Sequence, residues 1–244
     1  MRITGGELKG RQLLPGFANH VRPSTDRVRE SLFNSLQNQI NLSETTVLDL
    51  FSGSGIIALE FLSRYTTSVT SVDLDKKNIA YQKHIRQEWK IPHEKLSLKS
   101  KQTADKSIST FNTLMNRLDI PSIHQAELAM MKDELKISNL DSSKQITTPT
   151  TFSDSVGSWE IIMADIWKFI PKVNEKFDVI FADPPYHMPN VQQLPSLLLP
   201  LLNPQNPDAL LLFEHKPQLQ FPSINTPQAV KVYGSSIISF FRPS

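Results

Sequence analysis

Short apolar segments alternate with amphipathic ones along most of the chain, and this alternation constrains the fold more than any other feature of the sequence. The segments TTVLDLF, SVTSVDLD, WEIIMAD, FDVIFAD and DALLLFE have the length and composition of buried strands, whereas IIALEFLSR and KKNIAYQKHIRQEW have the spacing of helices. The last segment, AVKVYGSSIISFF, holds two β-rich runs about Gly234 and predicts an antiparallel hairpin at a sheet edge. We therefore predict an α/β fold with a mostly parallel sheet.

The composition is that of a globular protein without metal or disulfide chemistry. Of the 244 residues, 39% are hydrophobic and 20% are charged, and no apolar run approaches the roughly 20 residues that a membrane-spanning helix needs. The N-terminus has no apolar stretch of the secretory kind, so we expect a cytoplasmic protein with no membrane partner. The chain has no cysteine, and its 6 histidines lack the spacing of metal ligands, so we expect no metal site.

Residues 1–41 precede the alternation and predict an N-terminal extension. RITGGELKGRQL has the pattern of a small hairpin around Gly5 and Gly6, and RPSTDRVRESLFNSLQNQI that of a helix that starts in the polar cluster around Thr25. Residues 42–244 then form the main domain. Within it, residues 92–158 are rich in Ser, Thr and Lys and have no net charge, and so long a loop predicts a peripheral insertion.

The segment VLDLFSGSGIIALE predicts a strand, a turn with Gly53 and Gly55, and a helix. Glycines allow a tight strand-to-helix turn and let a ligand lie against bare backbone. Asp73 closes the next strand, where an acidic side chain can accept hydrogen bonds from both hydroxyls of an adenosine ribose. These two features fit NAD and S-adenosylmethionine equally well.

Asp49 and the DPPY motif, which is the Asp-Pro-Pro-Tyr stretch at residues 183–186, favour S-adenosylmethionine. Asp49 lies inside the first strand, where its carboxylate can hold the charged amino group of a methionine moiety and would repel a pyrophosphate. Ligands of open parallel sheets bind beyond the carboxyl ends of the strands. Asp49, Asp73, Asp165 and Asp183 should therefore converge at one edge, with the backbone of Asp165 and Ile166 beside the adenine.

The stretch FADPPYHMPN places a stiff Asp-Pro-Pro-Tyr directly behind an apolar strand. The carboxylate of Asp183 and the carbonyl of Pro184 can each accept one N–H of the exocyclic amino group of a nucleobase and favour the tetrahedral shape that the nitrogen needs to attack a sulfonium methyl group. Pro184 and Pro185 hold these acceptors in place, and Tyr186 offers a face on which the base can stack. We predict Asp183, Pro184, Pro185 and Tyr186 as the catalytic set.

Taken in order, the motifs resemble those of the 16S ribosomal RNA guanine-N2 methyltransferase (RsmD) family. RITGGELKGRQL, RPSTDRVRESLFNSL, VLDLFSGSGIIALEFLSR, FDVIFADPPY, LLLFEHK and KVYGSSIISFF carry the resemblance, which covers about residues 1–90 and 159–244. It implies a Rossmann-like sheet of seven strands, S-adenosylmethionine as methyl donor, and a guanine of 16S rRNA in a partly assembled small subunit as target of a monomeric enzyme. Residues 92–158 depart from the family pattern, which has a short link there.

The resemblance also implies which residues bind each ligand. Cofactor contacts are expected at the strand ends and the glycine turn: Asp49, Phe51, Gly53, Ser54, Gly55, Asp73, Leu74, Asp165 and Ile166. RNA contacts are expected at the basic side chains near the N-terminus: Arg2, Lys9, Arg11, Arg22, Arg27 and Arg29.

Three alternatives stay open. A DNA adenine-N6 methyltransferase would share the DPPY chemistry, although no separate DNA-recognition domain is visible. An NAD(P)-dependent oxidoreductase would need a proton donor such as a Tyr-Lys pair, which the motifs do not supply. A catalytically idle RNA-binding module fits poorly with an intact Asp183 and Tyr186. Glu214 ends the fifth strand near the cleft, where a structural role is expected ahead of a role in shaping the base pocket. His187, beside Tyr186, is expected to be a surface polar group ahead of a substrate contact.

Overall fold

Seven strands of the described residues form a single sheet. The computed structural model describes residues 1–18, 24–93, 156–222, 226–233 and 236–243. The strands are β1 (Thr46–Leu50), β2 (Ser68–Asp73), β3 (Ser158–Met163), β4 (Val179–Ala182), β5 (Leu210–His215), β6 (Ala229–Tyr233) and β7 (Ser236–Phe241). Residues 94–155, nearly all of the expected insertion, lie outside the described residues, so the insertion stays a prediction.

The sheet has the strand order β3-β2-β1-β4-β5-β7-β6. The first five strands run parallel to their neighbours, whereas β7 is antiparallel to β5 and β6 is antiparallel to β7. The predicted α/β fold, with a mostly parallel sheet and a C-terminal hairpin at its edge, is therefore confirmed. The strand order descends from β3 to β1 and then rises from β4, so the order of the strands reverses between β1 and β4. In open α/β sheets a ligand crevice forms at such a point, beyond the carboxyl ends of the strands.

Helices cover both faces of this sheet. The longer ones are α1 (Asp26–Gln37), α2 (Ile56–Leu62) and α3 (Lys76–Glu88), while α4 (Ile166–Phe169) and α5 (Leu194–Leu198) are short and adjoin 3-10 turns. Pro171, Pro195 and Pro200 lie at the starts of the short elements, where a missing amide hydrogen costs least. Within the described segments, no helix is long and apolar enough to cross a membrane.

Side chains alternate across each strand and divide the core between the two faces of the sheet. In β1, Val47 packs on the face covered by α1, α2 and α3, while Leu48 and Leu50 pack on the face covered by α4 and α5. We call the first of these the α1 face; Val69 of β2 and Phe181 of β4 also lie on it. Because Asp49 lies between Leu48 and Leu50, its side chain also points to the α1 face.

The N-terminal helix forms as its sequence predicts. The Thr25 hydroxyl accepts a hydrogen bond from the Val28 amide at 3.3 Å and caps α1. The apolar stripe of α1 is buried, and the Phe33 ring meets Phe61 of α2 edge to face, with 4.8 Å between ring centroids. This contact joins the N-terminal helix to α2.

The N-terminal hairpin is wider than predicted. Ile3 donates its amide hydrogen to the Arg11 carbonyl at 2.9 Å, and residues 5–10 form the turn. Gly6 has a φ of 76°, and a Cβ atom there would lie 1.7 Å from the Ser63 carbonyl oxygen. The glycine is therefore required by the close docking of the hairpin against the end of α2.

Candidate active site

Four carboxylates lie together at the carboxyl ends of neighbouring strands. Asp49 is in register with Phe181 of β4, and Asp183 follows two residues beyond Phe181, so alternation places both aspartates on the α1 face. Asp73 ends β2 beside them. The pairing of β4 with β5 places Glu214 next to Asp183. The structure thus brings together three aspartates singled out in the sequence and adds a glutamate.

The turn after β1 is strained and held from two sides. Phe51 and Gly53 have φ values of 60° and 50°, in the left-handed region that is unfavourable for a bulky residue such as Phe. The Gly53 amide donates a hydrogen bond to Asp73 Oδ2 at 2.7 Å. Gln82 Nε2 donates to the Gly53 carbonyl at 2.8 Å and to Ser52 Oγ at 2.9 Å. These contacts fix the backbone at the switch point of the sheet.

The next two residues of the turn, Ser54 and Gly55, lie in the protein interior. The Gly55 amide donates to the Ser52 carbonyl at 2.7 Å, and a Cβ atom on Gly55 would lie 2.8 Å from the Trp159 ring. Ser54 is buried, with 2% of its surface exposed. Packing thus explains the glycine, and a cofactor contact at Ser54 or Gly55 stays a prediction.

Asp49 is a buried carboxylate whose hydrogen bonding is incomplete. It is 1% exposed, and its Oδ2 atom has no hydrogen-bond partner among the described residues. Burial raises its pKa well above the ordinary value, and the charges of Asp73 and Asp183 raise it further. Such a group favours a cationic or hydrogen-donating ligand at this position.

Asp73 is better satisfied. Besides Gly53, its carboxylate accepts hydrogen bonds from the Asp75 amide at 2.7 Å and from Asn78 Nδ2 at 3.3 Å. Burial still raises its pKa, although these hydrogen bonds oppose the shift. Asn78 Oδ1 in turn accepts from the Ala18 amide at 2.9 Å, so the carboxylate is tied to the N-terminal segment.

Asp183 and Glu214 form a close acidic pair. Burial raises the pKa of Asp183 to about 8, and the neighbouring charge of Glu214 contributes to the shift. Burial also raises the pKa of Glu214, opposed by a hydrogen bond from the Ser236 side chain. The position of Glu214 at the end of an apolar strand was visible in the sequence, but its closeness to Asp183 depends on the pairing of β4 with β5.

The DPPY motif forms a turn with both buried and exposed parts. Pro184 is buried, whereas Pro185 is exposed and its carbonyl accepts the Met188 amide at 2.8 Å. Tyr186 is 51% exposed, and the Lys216 ammonium group lies 5.0 Å from its ring centroid. An aromatic face and a cation therefore lie next to the acidic pair.

Two exposed apolar side chains flank the ends of β2 and β3. Leu74 is 45% exposed and Met163 is 56% exposed, and Met163 is in register with Asp73. Leu74 was expected here from the family resemblance, whereas Met163 was missed. Apolar groups at the mouth of a crevice suit a flat aromatic ligand.

Asp165 begins α4 instead of lying free in the cleft. Its carboxylate accepts a hydrogen bond from the Lys168 amide at 3.1 Å and caps the helix. Ile166 is buried in the core on the face covered by α4 and α5. Contacts of this backbone with an adenine ring stay a prediction.

Comparison with known proteins decides the family. The model of the family described as conserved hypothetical protein 95, which is that of the ribosomal RNA small subunit methyltransferase D (RsmD) proteins, matches residues 1–120 and 139–242. The chain belongs to the RsmD family. The unmatched residues 121–138 lie inside the expected insertion.

Named RsmD relatives align with different shares of the chain. The ribosomal RNA small subunit methyltransferase D of Haemophilus influenzae is 31% identical over 214 residues, which are 88% of this chain and 78% of that protein. The Escherichia coli protein of the same name is 45% identical over 76 residues, so the match spans 31% of this chain and 37% of that protein.

Solved structures share the fold. A putative methyltransferase of Escherichia coli, yhhF, has a TM-score of 0.60 at 22% identity and covers 100% of this chain and 98% of its own. A hypothetical protein of Thermus thermophilus has a TM-score of 0.61 at 20% identity, with 99% of both chains covered. These likenesses show that the chain shares the fold of these proteins.

The basic side chains of this RsmD-family chain that were expected to contact RNA differ in their exposure to solvent. Lys9 and Arg27 are exposed, and the Arg2 side chain is 63% exposed while it pairs with Asp26 at 3.0 Å. The Arg11 guanidinium lies 5.2 Å from the ring centroid of Trp89. Arg22 lies outside the described residues.

The prediction that Arg29 contacts RNA is wrong. Its side chain is fully buried, and it donates hydrogen bonds to Glu60 Oε1 at 3.2 Å and to Asp26 Oδ1 at 2.7 Å. Glu60 is also fully buried and forms a second ion pair with Arg64, with 2.6 Å between Arg64 Nη1 and Glu60 Oε2. Arg29 therefore belongs to an internal network that joins α1 to α2.

Proposed function

We propose that this protein transfers a methyl group from S-adenosylmethionine to the exocyclic N2 amino group of a guanine in 16S rRNA. The observation that carries the proposal is the convergence of Asp49, Asp73 and Asp183 at the switch point of the sheet, with the stiff DPPY turn beside them. Membership of the RsmD family and the names of its relatives support rRNA as the substrate. A ribosomal substrate implies that the reaction takes place in the cytoplasm.

The residues present fit S-adenosylmethionine. The buried Asp49 Oδ2 atom lacks a partner among the described residues and would accept a hydrogen bond from the ammonium group of the methionine moiety. Asp73 would hold the ribose hydroxyls, and the apolar side chains of Leu74 and Met163 would flank the adenine. Closely spaced carboxylates favour this cationic ligand and disfavour the pyrophosphate of a dinucleotide.

S-adenosylmethionine supplies an electrophilic methyl group on a positively charged sulfur. The chain must then orient an amino group whose lone pair is delocalised into the purine ring. Asp183 and the Pro184 carbonyl accept one N–H each, so that the nitrogen moves toward tetrahedral geometry with little reorganisation of the protein. Removing one such preorganised group typically costs about 100-fold to 1,000-fold in rate.

The proton that the amino group loses needs an acceptor. A carboxylate whose pKa is raised by burial binds a proton more readily than an exposed one. Asp183 would therefore accept this proton after orienting the base. Tyr186 would hold the base by stacking, and the exposed Lys9 and Arg27 would contact phosphates.

Two measurements test the proposal. Isothermal titration should show binding of S-adenosylmethionine and none of NAD. With a tritiated methyl donor, the protein should label small-subunit rRNA, as naked RNA or in a partly assembled particle, and leave duplex DNA unlabelled. Labelling of adenine in duplex DNA would support the DNA methyltransferase alternative and contradict the proposal.

A further inference from the structure

We infer that Glu214 is a specificity-determining residue, which accepts the N1–H of the target guanine beside the amino group held by Asp183. The inference rests on the proposed function and assigns the recognition of guanine to one side chain. It concerns the choice of base, whereas Asp183 serves the transfer itself.

The placement of Glu214 comes from the sheet. Ala182 is in register with Phe213, so the residues that follow them, Asp183 and Glu214, lie side by side at the ends of two parallel strands. Both point away from the core that holds Phe213, and thus to the α1 face. Glu214 is 8% exposed, so its carboxyl group is largely shielded from solvent at this position.

A second feature marks this cluster as a ligand site. Asp49, in electrostatic contact with Asp183, is 1% exposed, and its Oδ2 atom has no partner in the described part of the chain. Tyr186 and Lys216 lie in contact at the exposed rim next to Asp183 and Glu214. The unpaired buried oxygen marks the cofactor end of the cluster, whereas the exposed aromatic ring and the cation at its rim suit a nucleotide that enters beside Asp183 and Glu214.

The chemistry of the purine edge distinguishes guanine from adenine. Next to its N2 amino group, guanine presents the N1–H donor, so that three N–H groups face this side of the site. Asp183, the Pro184 carbonyl and Glu214 provide one acceptor for each. Adenine presents an acceptor nitrogen next to its amino group, and a carboxylate there would leave both groups unpaired.

The test uses two small-subunit rRNA fragments that differ only at the target base, guanine in one and 2-aminopurine in the other. 2-Aminopurine keeps the N2 amino group but has an acceptor at N1. We expect wild-type protein to favour the guanine fragment by at least ~10-fold in kcat/KM. Glu214→Gln replaces an acceptor-only carboxylate by an amide that can accept from guanine N1–H or donate to the N1 of 2-aminopurine, and should reduce this preference by at least ~10-fold. Glu44→Gln, an exposed change in the loop before β1, should leave the preference unchanged.

The outcomes separate the inference from the proposed function. A Glu214→Gln protein that loses the same factor on both fragments would show a structural role and overturn the inference. Equal methylation of both fragments by wild-type protein would overturn it as well, without need of any variant, and would leave the proposed function intact. If wild-type protein methylates neither fragment, the proposed function fails, and the inference fails with it.

Discussion

Asp73 Oδ2 accepts a hydrogen bond of 2.7 Å from the Gly53 amide, and this bond joins the end of β2 to the turn that follows β1. The other oxygen of Asp73 accepts from Asp75 and Asn78. The carboxylate is thus oriented before any ligand arrives, which reduces the entropy that binding must overcome. The same bond holds the strained backbone of the turn.

Asp73→Asn should weaken binding of S-adenosylmethionine by at least ~10-fold, since the amide would place a donor where the carboxylate now accepts backbone N–H groups. Isothermal titration measures the change. Asp208→Asn, an exposed carboxylate in front of β5, is the matched control and should bind normally. Equal affinity of the Asp73→Asn variant and wild-type protein would remove Asp73 from the cofactor site.

Methyl transfer should depend on pH through Asp183. The raised pKa, about 8, means that the carboxylate form is lost as the pH falls below that value, and only this form accepts the amino hydrogen and its proton. The rate should therefore increase between pH 6 and pH 9, a window well above the ordinary range of a carboxylic acid. Single-turnover rates across this range check the expectation. A rate that is flat over the window would speak against Asp183 as proton acceptor.

Asp49→Asn should raise thermal stability at pH 8 while it weakens cofactor binding. The raised pKa of Asp49 means that its protonated form stabilises the fold below the unfolded pKa, and that this stability is lost as the pH rises. The variant should therefore exceed wild-type Tm at pH 8, by a margin that shrinks at pH 5. Scanning calorimetry at both values measures it.

Asp178→Asn is the control for Asp49→Asn, with the opposite sign. Burial alone would raise the pKa of Asp178, but hydrogen bonds from Asn206, Thr46 and Asn203 lower it below its ordinary value. Its ionised form thus stabilises the fold above the unfolded pKa, and this contribution is lost at low pH. Asp178→Asn should lower Tm at pH 8. Similar effects of the two substitutions would contradict the assignment.

Exposed and buried arginines of the N-terminal region should behave differently. Arg27→Gln should weaken binding to small-subunit rRNA and reduce the salt dependence by about one counterion, without change in stability. Arg29→Ala should instead destabilise the fold by about 3–5 kcal/mol, because it leaves the buried Glu60 with Arg64 alone as ionic partner. Urea unfolding and filter binding at several salt concentrations distinguish the two. An Arg29 variant of normal stability with weakened RNA binding would reverse this conclusion.

The sequence predicted the seven strands and the three longer helices because these depend on local patterns. Burial of Arg29 was missed, although Arg29 precedes Leu32 and Phe33 at helical spacing and so shares their buried face. Its burial depends on Glu60, which lies 31 residues away in another helix and forms a pair that only the folded chain creates. The pairing of Asp183 with Glu214 likewise depends on strand register, which no local motif encodes.

Nucleoside mass spectrometry of small-subunit rRNA, after reaction with S-adenosylmethionine and either wild-type or Asp183→Asn protein, tests the central claim most directly. The rRNA should come from cells that lack this protein, and titration should show equal cofactor affinity for both proteins. We expect N2-methylguanosine from wild-type protein and at least ~100-fold slower formation by the variant. A methyl group on any other atom, or equal rates for the two proteins, would contradict the assignment of Asp183 as the residue that holds the guanine amino group.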